Sequence, residues 1–294
     1  MPYILKNNAL EVHIDSPSEG YNFSRFDWTG KVRKVLYQDI PVTTIERTDD
    51  VDINLFGMGL YNEFGIETAI GFEETRQGEW FHKIGVGALQ KSGDSYQFTN
   101  PYKIRPATFH AEPRKHELRI RCVSESLNGY AYKLNKEFSI QGTSLNIEYQ
   151  LENTGKKAIL TDEYVHNFMG LDQKLIGKDY QLQFPFKLWE QEFQTLVNPE
   201  GTLELGKMGI SFKNNPKEQF FVSHLNGPNT VPANWELQHL KYKIGIRETG
   251  SFTTQKVNLW GWQHVVSPEL FHQISVEAGK TVEWSRTYEC FNLK

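Results

Sequence analysis

The sequence predicts an all-β domain, and three observations carry that expectation. Strict apolar/polar alternation recurs along the chain, no apolar pattern of helical period is sustained over three capped turns, and 23 glycines and 12 prolines are scattered as turn punctuation. The clearest alternation runs from Ser144 to Glu152, where Leu145, Ile147, Tyr149 and Leu151 are apolar and the residues between them polar, as a half-buried antiparallel strand requires. Leu118, Ile120 and Cys122 repeat the pattern, as do Tyr130, Tyr132 and Leu134, and a Gln-Gly-Thr turn at 141–143 makes a hairpin of the strand ending at Ile140 and the next one. After the NTGKK turn comes AILTDEYVHNFMGLD, where alternation breaks down as His166 and Asn167 appear. A strand end carrying polar groups is a natural place for a site. Near the C-terminus, Ile274 and Val276 lead through AGKT into Val282, Trp284, Tyr288 and Cys290, again alternating except at Arg286. The Asn198 to Asn229 region, rich in Gly, Asn and Pro, is the expected place for long loops.

Without an internal repeat, low-complexity tract or linker-like shift in composition, a single domain over 1–294 is expected. The 38% hydrophobic and 23% charged content excludes a disordered chain, and no apolar run approaches the roughly 20 residues of a membrane span. With 32 Lys+Arg against 36 Asp+Glu there is no basic field for phosphate backbones or anionic lipid, so neither nucleic acid nor membrane is an expected partner. The N-terminal MPYILKNNALEV has no long apolar core of a secretory signal, which points to the cytoplasm. Cys122 and Cys290 form neither a CxxC motif nor a disulfide framework and read as small hydrophobes on strands.

Composition departs from average in its aromatics: 19 Phe, 13 Tyr and 7 Trp. Such rings fill β-cores, to which about three quarters of them are assigned, but they also stack on the C–H faces of pyranoses. Several chemistries lose their usual support. There is no P-loop, dinucleotide GxGxxG, HExxH or GxSxG, and the nine histidines are too dispersed for a metal cage except by tertiary convergence.

The run YKLNKEFSIQGTSLNIEYQLENTGKKAIL leading into EYVHNFMGLD resembles the galactose mutarotase-like (aldose 1-epimerase) superfamily, with HNFMGLD in the place of its histidine motif. GWQHVVSPELFHQISVEAGKTVEWSRTYECF is similar to that superfamily's C-terminal glutamate, turn and Trp-containing last strand. Together the two matches span about a quarter of the chain. The resemblance implies a β-supersandwich of large twisted sheets and cofactor-free interconversion of sugar anomers, on a free or phosphorylated hexose. That reaction takes the proton from the anomeric hydroxyl while protonating the ring oxygen, which needs an acid and a base about one hemiacetal. The resemblance puts the base at Glu269 and the acid at His166. Unperturbed values near ~4.3 for a glutamate and ~6.5 for an imidazole fit those roles. The competing readings are a core or strand-end histidine bonded to a backbone carbonyl for His166, and a solvated loop carboxylate for Glu269.

In the same family an early arginine and a second histidine hold sugar hydroxyls. The stretch GFEETRQGEWFHKIGVGAL offers Arg76, Trp80, His82 and Lys83 for that work, although a solvated charged face explains Glu73 to Arg76 as well. The family's arginine-asparagine-arginine motif is absent, and no counterpart of its substrate-binding aspartate stands out in 224–240. Tyr164 and Asn167 beside the histidine, with Trp260 and Trp262 on one face of a strand before Glu269, complete the expected sugar ligands, although the two tryptophans read as well as core packing. Two rivals remain: a non-catalytic carbohydrate-binding or sugar-sensing protein, and an accessory domain of a polysaccharide lyase or hydrolase.

Overall fold

The computed structural model describes residues 2–49 and 52–294. The long alternating runs are strands: Glu117–Val123, Tyr132–Gln141 and Ser144–Asn153 pair antiparallel in sequence order. The hairpin closes with Gln141 opposite Ser144, which leaves Gly142 and Thr143 as a two-residue turn, and Gly142 takes the positive φ of 58° that such a turn demands. Helix among the described residues is limited to the short 3-10 turns Ile53–Leu55, Leu171–Gln173 and Glu190–Glu192. No helix is long and apolar enough to cross a membrane.

A ten-stranded antiparallel sheet holds that meander, and the last strand, Thr281–Asn292, lies inside it between Ser144–Asn153 and Ile244–Thr254. A seven-stranded sheet packs against it, with Leu60–Phe64, Ile159–Asn167 and His272–Val276 side by side. The AGKT turn therefore carries the chain from one sheet to the other rather than closing a hairpin. Smaller sheets of four strands (including Phe220–Ser223, Val257–Trp262 and Val265–Leu270) and three strands (including Trp80–Lys83) complete the fold. Short strands at Leu203–Leu205, Gly209–Phe212 and Phe220–Ser223 occupy part of the region where the sequence places long loops.

Two apolar clusters fill the interior. The larger lies between the two big sheets and includes Leu145, Ile147, Val165, Phe64 and Trp284. The smaller includes Phe26, Tyr61, Phe72, Phe81, Phe168 and Val265. Because Phe64 and Tyr61 contribute to different clusters, the strand Leu60–Phe64 is covered on both faces, and so is the end of its neighbour Ile159–Asn167. That double burial is why alternation fails at 163–167: a strand with no solvent face has no reason to alternate.

The irregularity at Arg286 has a related cause. Its side chain points inward with Trp284 and Tyr288 and is fully buried between Glu163 and Glu248, donating also to the Leu270 carbonyl at 2.9 Å. Glu248 accepts in turn from the Trp235 indole and from Asn167. Asn62 joins Glu163 to Lys136, which pairs with Asp27 at 3.0 Å. Each charge of this cluster thus meets an opposite one, the condition under which the core tolerates it. Cys122 and Cys290 are free and buried on strands.

Candidate functional site

Where the seven-stranded and four-stranded sheets meet, period two decides which side chains face the cleft. On Ile159–Asn167, Tyr164 and His166 point one way, while Glu163, Val165 and Asn167 point into the core between the large sheets. On Val265–Leu270, Ser267 and Glu269 point toward His166, and Val266 and Leu270 toward that core. Pro268 is tolerated because this strand is the edge of its sheet. The two strands are joined by the bridge between Met169 and Val266, and by Asn167, whose amide donates to the Pro268 carbonyl at 2.7 Å.

The result is a cavity of about 430 Å³ into which Tyr164, His166, Trp260, Asn258, Glu269 and Arg25 project. His166 Nε2 lies 3.4 Å from Glu269 Oε1, and both side chains are almost wholly buried. On its other side, His166 Nδ1 is 2.8 Å from the Ser267 hydroxyl. The imidazole stacks on Phe168, centroids 4.0 Å apart and 7° from parallel, and meets Trp260 edge-on at 5.2 Å. Held on three sides, the ring has one orientation.

Burial sets the protonation of the pair. It pushes the Glu269 carboxyl up to about 8, against the opposing pull of the Arg25 guanidinium, and holds the His166 imidazole well below its ordinary range, with Arg25 adding to the effect. At neutral pH the pair is therefore an acid beside a neutral imidazole, sharing one proton. Nε2 faces the Glu269 carboxyl and Nδ1 the Ser267 hydroxyl, so both ring nitrogens have a partner. The sequence reasoning, from unperturbed values, starts the two groups in the opposite states.

Arg25 is the more buried of the two arginines, Arg25 and Arg47, that line the cavity. Its Nε donates to Glu63 Oε2 at 3.0 Å, Nη2 to the Tyr164 hydroxyl at 3.2 Å, and Nη1 lies 3.7 Å from Glu46. The guanidinium is clamped between the rings of Phe26 and Phe98, 4.5 and 4.7 Å from their centroids. Glu63 is fixed from behind by Lys83 at 3.2 Å and by the Tyr164 hydroxyl at 2.7 Å.

The structure thus brings together His166, Glu269, Tyr164 and Trp260, and separates the other expected residues from them. Asn167 faces the opposite side of its strand, as a tie between sheets. Lys83 stands behind the cleft wall, held by Glu63, the Gly65 carbonyl and the Tyr96 hydroxyl. His82 is buried with Nε2 3.2 Å from the Tyr130 carbonyl, Trp80 lies under the Arg105 guanidinium, and Arg76 is exposed on a turn. Trp262 shares a face with Trp260 but lies beyond the cavity, its indole donating to the Lys217 carbonyl at 2.8 Å. Sequence reasoning missed Arg25, Asn258 and Ser267. Asn258 and Ser267 were within reach, since each lies two residues along a strand from a residue already chosen. Arg25, in YNFSRFDW, carries no spacing signal.

A larger hollow of about 620 Å³ lies on the outer face of the ten-stranded sheet. Its side chains satisfy one another in a row, Arg121 to Asn135 at 2.9 Å, Asn135 to Gln150 at 2.9 Å and Gln150 to Glu283 at 2.7 Å, which is the behaviour of a solvated sheet face.

Solved structures share this fold along the whole chain. The Slr1438 protein of Synechocystis sp. PCC 6803 superposes with a TM-score of 0.65 at 15% identity, covering 99% of this chain and 96% of its own. A galactose mutarotase related enzyme from Lactobacillus acidophilus gives 0.59 at 9% identity over 100% of both chains. A galactose mutarotase-like protein from Clostridium acetobutylicum gives 0.60 at 9% identity, covering 99% and 95%. The chain thus has the galactose mutarotase-like β-sandwich fold, as its sequence motifs lead one to expect. No family model and no curated protein matches it by sequence.

Proposed function

We propose that this protein is an aldose 1-epimerase acting on a sugar bound between Trp260, Arg25 and the His166–Glu269 pair. The observation that carries the reading is the 3.4 Å approach of a buried imidazole and a buried carboxyl at the wall of one cavity. Fold alone does not imply an activity, so the reading rests on this pair.

Anomer exchange needs one proton and one vacancy at adjacent oxygens of the same carbon, and the pair supplies one of each. One partner takes the proton of the anomeric hydroxyl while the other protonates the ring oxygen. The C1–ring-oxygen bond breaks, the aldehyde turns, and the transfers reverse on closure. In the empty cleft the proton rests on Glu269. Sugar hydroxyls donating to that carboxylate favour its ionised form, and the proton moves to His166 Nε2, which sets Glu269 as base and His166 as acid. Arg25 and Asn258 then hold sugar oxygens, and the Trp260 ring offers a C–H stacking surface.

The experiment is anomer exchange followed by polarimetry or NMR on a panel of aldoses, with and without protein. A pure binding protein would bind the same sugars and leave the spontaneous rate unchanged. The pH profile follows from the pair. Activity is expected to fall as pH rises through about 8, where Glu269 loses the shared proton, and to fall at acid pH only well below the ordinary imidazole range, where His166 gains a second. A rate of kcat/KM that keeps climbing above pH 8 would contradict the assignment.

Ser267 is a positioning residue in this scheme, because its hydroxyl, 2.8 Å from Nδ1, holds the imidazole at the angle that presents Nε2 to Glu269. Ser267→Ala is expected to lower kcat about tenfold with KM little changed, and to displace the acid limb of the pH profile. A loss confined to thermal stability would give Ser267 a packing role only.

A further inference from the structure

The cleft does not end at the reacting pair. Across Phe98 and Phe221 a second compartment of about 370 Å³ adjoins it, and Ile66, Phe98, Phe221 and Asn258 line both. Each compartment alone falls within the range of small-ligand sites, roughly 300–1,000 Å³. Together they exceed what one hexose needs. Phe98 and Phe221 are half-buried, so each presents part of its ring at the junction, and the far compartment adds Tyr96 and Phe271 as apolar wall.

Charge decides what the extension accepts. Every cation facing either compartment, among the described residues, already has a carboxylate of its own. Arg25 lies between Glu63 and Glu46, Arg47 pairs with Asp49, and Lys256 Nζ reaches Glu67 Oε1 at 2.6 Å while resting 4.4 Å over the Phe271 ring. A phosphate or uronate entering here would have to displace one of those carboxylates or lie beside it. A hydroxylated neutral group can instead donate to Glu67 and accept from Lys256, so the paired charges offer both halves of a sugar's hydrogen bonding and no net field.

Building on the epimerase reading above, we infer that the substrate is a neutral reducing oligosaccharide, its reducing-end residue beside His166 and Glu269 and its next residue against Phe98 and Phe221 in the second compartment. The order follows from the chemistry, since only the reducing end carries a hemiacetal. The non-reducing residue must therefore occupy the compartment that lacks the acid/base pair.

The test compares glucose and galactose with maltose, cellobiose and lactose, and with glucose 6-phosphate. Anomer exchange is read by NMR and affinity by calorimetry. At least one disaccharide is expected to exceed its own reducing-end monosaccharide by about tenfold in both kcat/KM and affinity, the gain of one added stacked ring. Glucose 6-phosphate is expected to fall below glucose. Glu67→Ala and Gln97→Ala, on the exposed rim of the second compartment, are expected to lower the disaccharide-to-monosaccharide ratio severalfold. Equal values for mono- and disaccharides, or preference for the phosphate, overturn the inference. No exchange with any sugar, while a disaccharide still binds tenfold tighter, overturns the epimerase reading and leaves the extended neutral cleft standing.

Discussion

Glu269→Gln is expected to abolish anomer exchange while making the protein more stable. The amide keeps the shape of the side chain but cannot carry the shared proton, so the rate should drop by about 10²- to 10⁴-fold, the usual share of general acid–base catalysis. Sugar affinity should change little, because Arg25, Asn258 and Trp260 are untouched. The stability gain has a sign that can be worked out. A glutamate titrates near 4.5 when unperturbed and near 8 when buried here, so between those values the folded state holds a proton that the unfolded chain has released. Stability conferred by the wild-type residue therefore falls as pH rises from about 4.5 to about 8 and levels above that. Glutamine does not titrate, and the variant's advantage in melting temperature should open across that window. Melts at pH 5 and pH 8.5, set beside polarimetry, check both halves. Turnover retained within a few-fold, or a variant that loses stability at pH 8.5, would remove Glu269 from the chemistry proposed for it.

The largest effect on the fold itself is expected at Arg286. Arg286→Met takes away the cation shared by Glu163 and Glu248 and leaves two fully buried carboxylates facing each other's charge. Breaking such an arrangement from one side costs about 3–5 kcal/mol, a large part of the ~5–15 kcal/mol that holds a domain together. Chemical denaturation should show the midpoint fall accordingly. Neutralising the carboxylates as well, in Glu163→Gln/Arg286→Met/Glu248→Gln, should recover most of the loss, since the amide oxygens still accept from Asn62, Asn167 and Trp235 and the unpaired charges are gone. A single variant as stable as the wild type would mean that water reaches this cluster. The site should sense the change as well, because Glu163 lies on the strand that carries Tyr164 and His166.

How far the sequence could be read follows from how local each cause is. The hairpin at 141–143 depends on a turn and on two alternating strands, all within about twenty residues of chain, and it is where the pattern puts it. The break in alternation at His166 was visible too, though its cause, a strand buried on both faces, is tertiary. Arg76, Trp80, His82 and Lys83 looked like sugar ligands because they are dense in the sequence. Density along a chain says nothing about convergence in space, and these four side chains go to a turn, an edge and the layer behind the cleft. Asn167 adjoins His166 in the sequence, yet adjacent residues on a strand face opposite ways.

By itself, the sequence determined the class of fold, the strands that form its large sheet, and two residues worth testing, because apolar period and turn chemistry are local properties written residue by residue. Only the tertiary structure decided that Arg25 comes beside His166 and Glu269, that burial raises the Glu269 carboxyl, and that a second compartment adjoins the first across Phe98 and Phe221. Those are consequences of burial and of approach between segments more than a hundred residues apart, and desolvation acts on a group through whatever surrounds it in space, whichever part of the chain supplied it.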